Sequence, residues 1–89
     1  MAWQIEFSDR AGKQLAALDR ISLKRIVDFL DDRIARSEDP RRLGEPLKGS
    51  RFQDLWRYRV GDYRVIVRIE DAVLRVLVVQ IGHRREVYR

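Results

Sequence analysis

The first third of the chain changes from a strand-like to a helix-like pattern of apolar positions. Trp3, Ile5 and Phe7 alternate with polar residues, which predicts a short strand with one buried face. Ser8 follows as a predicted helix N-cap, and Asp19 or Ser22 would cap a second helix over about residues 20–37. Apolar residues at three- and four-residue spacing give each helix one buried stripe. These stripes are Ala11, Leu15 and Leu18, then Leu23, Ile26, Val27, Leu30 and Ile34.

The second half reads as a connection followed by three strands. Residues 38–50 hold two prolines and two glycines, which end the helix and indicate a loop. LWRYRV (55–60) and YRVIVRI (63–69) alternate around Gly61-Asp62, a two-residue sequence typical of a hairpin turn. VLRVLVVQI (73–81) is apolar at both parities, as expected of an interior strand that is covered on both faces.

The order of these elements defines the expected fold. It is a small α+β domain of the order β-α-α-β-β-β, in which a helical hairpin packs on a mainly antiparallel, four-stranded sheet. With 89 residues, the chain is predicted to form one domain over residues 1–89.

Composition narrows the possible chemistry. The chain has no cysteine, which excludes disulfides, thiolate metal sites and a cysteine nucleophile. A single histidine also argues against zinc, so we expect no metal and no cofactor. No apolar run approaches the length of a membrane helix, and the N-terminal residues do not resemble a secretory signal. We therefore expect a soluble cytoplasmic protein with no membrane partner.

The net charge of +5 is unevenly distributed along the chain. Residues 1–40 hold seven Lys or Arg and eight Asp or Glu, so their net charge is 7 − 8 = −1. Residues 41–89 hold twelve and six, so their net charge is 12 − 6 = +6. A polyanion would therefore bind the second half.

Strand alternation gathers this charge on one surface. If the aromatic and aliphatic positions of 55–60 and 63–69 face the helices, the arginines of both strands share the opposite face. Like charges opposite each other repel, and little acid is interleaved. A bound phosphate or carboxylate would therefore reduce the repulsion between the arginines. The alternative is a solvated surface of arginine stems. The four residues are Arg57, Arg59, Arg64 and Arg68.

The C-terminal sequence GHRREVYR (82–89) follows the last predicted strand and could fold back over the arginines. Metal-free RNA cleavage needs a base, cations at the phosphate and an acid for the leaving oxygen. A histidine such as His83 could serve as acid or base, and nearby guanidinium groups would lower the pKa of Tyr88 towards that of a usable base. The alternatives are an ordinary histidine, a tyrosine ring packed on the sheet, and tail or loop charges at Arg85, Arg89 and Lys48. Trp56 and Tyr58 could stack on bases, but their parity favours the core.

These segments resemble a known family. LKG (47–49), LWRYRVGDYRVIVRIED (55–71) and VLVVQIGHRREVYR (76–89) are similar to the RelE side of the RelE/ParE toxin superfamily, the toxins of type II toxin–antitoxin pairs. RelE-type members are ribosome-dependent endoribonucleases that cut mRNA in the ribosomal A site. The resemblance therefore implies an mRNA interferase that inhibits translation without a metal.

The resemblance also implies roles for individual residues. Arg64 would stabilise the transition-state phosphate, Arg84 would support the leaving group or the phosphate, and Tyr88 would be the general base. His83 stands where some members have lysine and others histidine. The basic pair, Arg57 and Arg59, is lysine in some members, and arginine is a poorer proton donor. The predicted catalytic set is Arg64, His83, Arg84 and Tyr88, and the predicted phosphate-binding set is Lys48, Arg57, Arg59, Arg68 and Arg85.

The family further implies a cognate antitoxin whose acidic segment covers the basic face. Two alternatives to the nuclease remain open. One is a ParE-like toxin that inhibits DNA gyrase, and the other is a non-catalytic module that binds nucleic acid or antitoxin. A gyrase inhibitor does not need the set of Arg64, Arg84 and Tyr88, which favours the nuclease here.

Overall fold

The computed structural model describes residues 2–48 and 54–83, and they form one mixed sheet with a helical hairpin on one face. The strands are β1 (Gln4–Phe7), β2 (Glu45–Pro46), β3 (Leu55–Val60), β4 (Tyr63–Glu70) and β5 (Arg75–His83). The helices are α1 (Asp9–Ala16) and α2 (Arg20–Phe29), which continues as a π-helical turn, Leu30–Ile34. Two 3₁₀ turns lie at Pro40–Leu43 and Asp71–Val73. Each helix in these ranges is too short or too polar to cross a membrane.

The strand order is β1-β5-β4-β3-β2. β1 runs parallel to β5, and every other pair is antiparallel. The predicted α+β fold is therefore confirmed, with one addition. The two-residue strand β2 comes from the connection that was predicted to be loop, and it pairs with the start of β3. A strand this short carries no alternation that a sequence pattern could reveal.

Both helices begin at side-chain caps. Ser8 Oγ accepts the Ala11 N–H at 3.1 Å, as predicted. Of the two candidates for the second cap, Asp19 is the one used, since its Oδ2 accepts the Ser22 N–H at 3.0 Å. α2 ends earlier than the predicted residue 37, because the π turn takes over at Leu30. This wider turn still buries both Leu30 and Ile34 against the sheet.

The core lies between the helices and one face of the sheet. Its fully buried helical members include Ala11, Ile26 and Ile34, all from the predicted stripes. The sheet contributes the alternate residues of three strands: Tyr58, Val60, Val65, Val67, Ile69, Val76, Val78 and Ile81. Ile66 is also buried, but it belongs to the opposite face of the sheet.

Tyr58 links the core to the segment that precedes β2. Its ring is completely buried and meets Phe29 edge-on, and its hydroxyl donates to Pro40 O at 2.7 Å. Burial raises the pKa of Tyr58 above its usual range, so the hydroxyl remains a donor. This side chain therefore packs in the core and cannot stack on a base.

We expect Tyr58→Phe to lower the free energy of unfolding by about 1–3 kcal/mol, because the buried Pro40 carbonyl would lose its donor. The change is measured by urea denaturation of the purified protein. Tyr63→Phe is the matched control, since among the described residues the Tyr63 hydroxyl has no hydrogen-bond partner. Equal stability of the two variants would contradict this role for Tyr58.

Candidate nucleic-acid interface

The sheet face that points away from the helices carries the predicted arginines. Register places Arg59 opposite Arg64, Arg57 opposite Ile66 and Leu55 opposite Arg68. The alternate pairs, such as Tyr58 with Val65, lie on the core side. Residues directly opposite each other share a face, so Arg57, Arg59, Arg64 and Arg68 lie together, as the alternation predicts. We call this surface the arginine face.

The strongest concentration of positive charge lies beside the β3–β4 turn. Arg59 and Arg64 are the last opposite pair before the pair that closes the hairpin. Arg59 is exposed and, within residues 2–48 and 54–83, forms no ion pair. Arg64 is half-buried, and its Nη1 donates to Tyr63 O at 3.3 Å. Two guanidinium groups held opposite each other repel, and an anion that contacts both would relieve this repulsion.

An acid from β2 lies at this corner of the face. Glu45, from β2, is opposite Arg57 and accepts a hydrogen bond from its Nη2. That hydrogen bond and the charge of Arg57, with smaller contributions from Arg59 and Arg64, hold the pKa of Glu45 below its usual range. The expectation that little acid relieves the arginines is therefore wrong at Arg57. Sequence reasoning missed Glu45 because it lies in the irregular connection.

The other end of the same face is largely neutralised. Arg75 of β5 donates to Glu70 and lies 3.4 Å from Glu6 Oε2. The Arg75 hydrogen bond, with a contribution from the charge of Arg68, also lowers the pKa of Glu70. Arg68 is exposed and lies nearer to these acids than to the hairpin turn. An anion would therefore be attracted mainly to the Arg59–Arg64 end.

The C-terminal part of β5 contributes an uncharged border to the arginine face. Gln80 lies opposite Ile66 and Gly82 lies opposite Arg64. The register of β5 against β4 shifts by one residue before Gln80. Ile66 pairs with Gln80, whereas the next residue, Val67, pairs with Val78. Val79 is thus an extra residue, a β-bulge. Gln80 is a second residue of this face that sequence reasoning missed.

The bulge also corrects the predicted place of His83. This residue lies opposite Tyr63, and the two rings meet edge-on with centroids 6.0 Å apart. Tyr63 belongs to the side of the sheet that faces the helices. His83 therefore lies on that side and not on the arginine face. The extra residue at Val79 reverses the parity of everything after it.

The remaining predicted residues lie away from this cluster or beyond the described ranges. Lys48 is exposed and follows Leu47, whose N–H donates to Leu55 O at 3.0 Å, so it lies near the Arg68 end. Trp56 is half-buried on the core side, and the Arg41 guanidinium lies 5.8 Å from its ring centroid. Core packing is thus the correct interpretation for Trp56 as well as Tyr58. Arg84, Arg85 and Tyr88 lie outside the described residues.

The fold and the face define a small α+β protein whose open sheet surface concentrates positive charge at one hairpin. The chain belongs to the family described as the ParE toxin of the type II toxin–antitoxin system parDE, whose family model matches residues 5–88.

The individual proteins to which the chain is similar bear the names of RelE-type toxins. The chain is 29% identical to toxin RelG of Mycobacterium tuberculosis, over 100% of this chain and 99% of that protein. It is 41% identical to toxin RelE of the same organism over 51 residues, which are 57% of this chain and 52% of the relative. The toxin–antitoxin complex RelBE2 of M. tuberculosis contains a chain of similar structure, with a TM-score of 0.85 and 27% identity over 97% of this chain and 95% of the other. The protein is thus a RelE-like type II toxin.

Proposed function

We propose that this toxin is a ribosome-dependent, metal-independent endoribonuclease that cuts mRNA in the ribosomal A site. The observation that carries the proposal is the Arg59–Arg64 pair, which lies on an open sheet face with Arg57 on the same strand as Arg59. Arginine forks match phosphate oxygens bidentately and keep their charge at every relevant pH. An RNA backbone that crosses the hairpin end would therefore meet two opposed guanidinium groups at once.

The proposed reaction is attack of the 2′-oxygen on the adjacent phosphorus. A general base removes the 2′-hydroxyl proton, the new P–O bond forms, the P–O5′ bond breaks, and an acid protonates the departing 5′-oxygen. The products are a 2′,3′-cyclic phosphate and a 5′-hydroxyl end. Arg64 would stabilise the charge that builds on the phosphorane, and Arg59 and Arg57 would bind the flanking phosphate oxygens. Tyr88 as base and Arg84 at the leaving group are assigned by the family resemblance.

The same face suits the proposed second partner, a cognate antitoxin. An acidic segment would pair with the arginines that otherwise bind RNA, so antitoxin and mRNA would compete. The hydrogen bond from Arg57 to Glu45 shows that this arginine can pair with a carboxylate. The M. tuberculosis complex that this fold resembles contains an antitoxin together with its toxin. Antitoxin binding would also stabilise the small toxin by mass action.

A gyrase inhibitor is the second candidate, and one observation favours it: the matching family model carries the ParE name. It would use the fold without RNA chemistry. A non-catalytic binding module is the third, and it predicts that Tyr88 is dispensable. The nuclease is preferred because the sequence contains Arg64, Arg84 and Tyr88 together.

The deciding experiment is primer extension on a defined mRNA in a purified translation system, beside a supercoiling assay with purified gyrase. We expect cuts that are in phase with codons and that require ribosomes, with no effect on supercoiling. A chelator, added to toxin and isolated ribosome–mRNA complexes with magnesium in excess to keep the ribosome intact, should leave the cleavage intact, which tests for a bound transition metal.

Intact mRNA together with inhibited supercoiling would replace the nuclease with the gyrase assignment. Intact mRNA and unaffected gyrase, with tight binding to RNA or antitoxin, would leave a binding module. Cleavage of naked RNA at the same rate would contradict the dependence on ribosomes.

A further inference from the structure

Within residues 2–48 and 54–83, no strand pairs with the C-terminal part of β5 on the side away from β4. β1 pairs with β5 only as far as Phe7 with Val78, whereas β5 continues to His83. Helix α1 and its N-cap residue Ser8 supply side-chain hydrogen bonds on that side. Ser8 Oγ donates to Val79 O at 3.3 Å, and Gln14 Oε1 accepts the Ile81 N–H at 2.6 Å.

One of these bonds lies at the β-bulge and the other just after it. Ser8 contacts the extra residue itself, and Gln14 contacts the strand two residues later. Because side chains alternate along a strand, a shift of one residue would reverse every side chain that follows. The register seen here places Gly82 opposite Arg64 and His83 opposite Tyr63.

Gln14 has the geometry of a specific contact. The bond joins residues 67 positions apart, and the Gln14 side chain is half-buried between α1 and the sheet. The ladder to β4 holds one edge of the segment 79–83, and Gln14 is a described contact that holds the opposite edge after the bulge. An N–H without this acceptor would lie at a partly buried sheet edge, which favours rearrangement of the bulge.

We propose that Gln14 is a positioning residue for the end of β5, Gly82 and His83. By accepting the Ile81 N–H, it fixes the register after the bulge and so determines that Gly82 lies opposite Arg64 and His83 opposite Tyr63. The inference rests on the proposed nuclease function, because His83 belongs to the predicted catalytic set and Gly82 lies beside Arg64. Gln14 itself lies on the helical side of the sheet and touches no substrate.

The test compares Gln14→Met with Gln14→Glu in the ribosome-dependent cleavage assay. Methionine keeps the length and helix propensity of the side chain but lacks the oxygen acceptor, whereas glutamate retains one. We expect Gln14→Met to lower kcat about tenfold with KM unchanged, because misplaced catalytic groups slow the chemical step. Gln14→Glu should restore the rate to within about threefold of the parent. Ala16→Met, at an exposed position of the same helix, is the control for the added side chain and should match the parent.

Hydrogen exchange at the Ile81 amide and the melting temperature are measured for each variant. Exchange should accelerate in Gln14→Met and stay near the parent rate in Gln14→Glu. If Gln14→Met does not fold, Ser8→Gly replaces it, since glycine keeps most of the N-cap but removes the bond to Val79 O. That variant should also lower kcat at constant KM.

Cleavage by Gln14→Met at the parent rate, with faster exchange at Ile81, would overturn the positioning role while leaving the nuclease standing. Equal loss in Gln14→Met and Gln14→Glu would overturn it too, because the acceptor would not be the cause. A parent protein that does not cleave would instead remove the proposed function, and this inference with it.

Discussion

We expect Arg64→Ala to slow mRNA cleavage by about 10²–10³-fold, the usual effect of removing one donor that stabilises a developing oxyanion. Arg64 lies opposite Arg59 on one side and Gly82 on the other, so it sits between the second arginine of the pair and the end of β5. Its half-buried position would hold the guanidinium against the sheet and limit the reorganisation needed during reaction. The rate is measured by primer extension on ribosome-bound mRNA.

Two variants make this result specific. Arg64→Lys keeps the charge but loses the bidentate fork, so it should recover only part of the rate. Arg33→Ala removes an exposed arginine on the helical side and should cleave like the parent. Antitoxin affinity should remain largely intact in all three, since the rest of the arginine face is unchanged. Parent-like cleavage by Arg64→Ala would remove this residue from the mechanism.

The arginine face is the feature that sequence reasoning predicted best, for a simple physical reason. Residues 55–60 and 63–69 alternate strictly and are joined by a two-residue turn, and a turn of that length fixes the register of both strands. Knowing that Tyr58 and Val65 are apolar is then enough to place Arg57, Arg59 and Arg64 on the opposite face. The buried stripes of the helices were predicted for a similar reason, because Ala11, Ile26, Leu30 and Ile34 follow the helical period.

Two features that shape the face could not be predicted from periodicity. β2 has only two residues, and its Glu45 is paired with Arg57 by a fold of the connection that no local pattern records. The bulge at Val79 lies in a run that is apolar at both parities, where an extra residue leaves no mark. Both are decided by tertiary hydrogen bonds. As a result, His83 was predicted to follow the strand and approach the arginine face, whereas it lies within β5 on the side that faces the helices.

We expect Gly44→Ala to lower the free energy of unfolding by about 2–3 kcal/mol, towards the upper end of what an overpacked site costs. Gly44 has an extended backbone, so the effect comes from space and not from conformation. A Cβ there would lie 2.8 Å from Arg57 O and 2.8 Å from Tyr58 Cε1. The carbonyl belongs to the β-ladder and the ring is fully buried, so neither can move easily. The connection would have to shift, which would disturb the Tyr58–Pro40 hydrogen bond and the approach of Glu45 to Arg57.

Gly12→Ala is the matched control, because the same substitution on α1 meets no atom within 4 Å. In a helix interior it should raise stability by about 0.5–1 kcal/mol. The free energy of unfolding of both variants is measured by urea denaturation, with the same denaturant slope m used for each. The two free energies should differ by about 3 kcal/mol. A Gly44→Ala protein as stable as the parent would mean that the connection does not pack against β3 this closely. Gly44 directly precedes Glu45, so the same result would also argue against the placement of Glu45 beside Arg57.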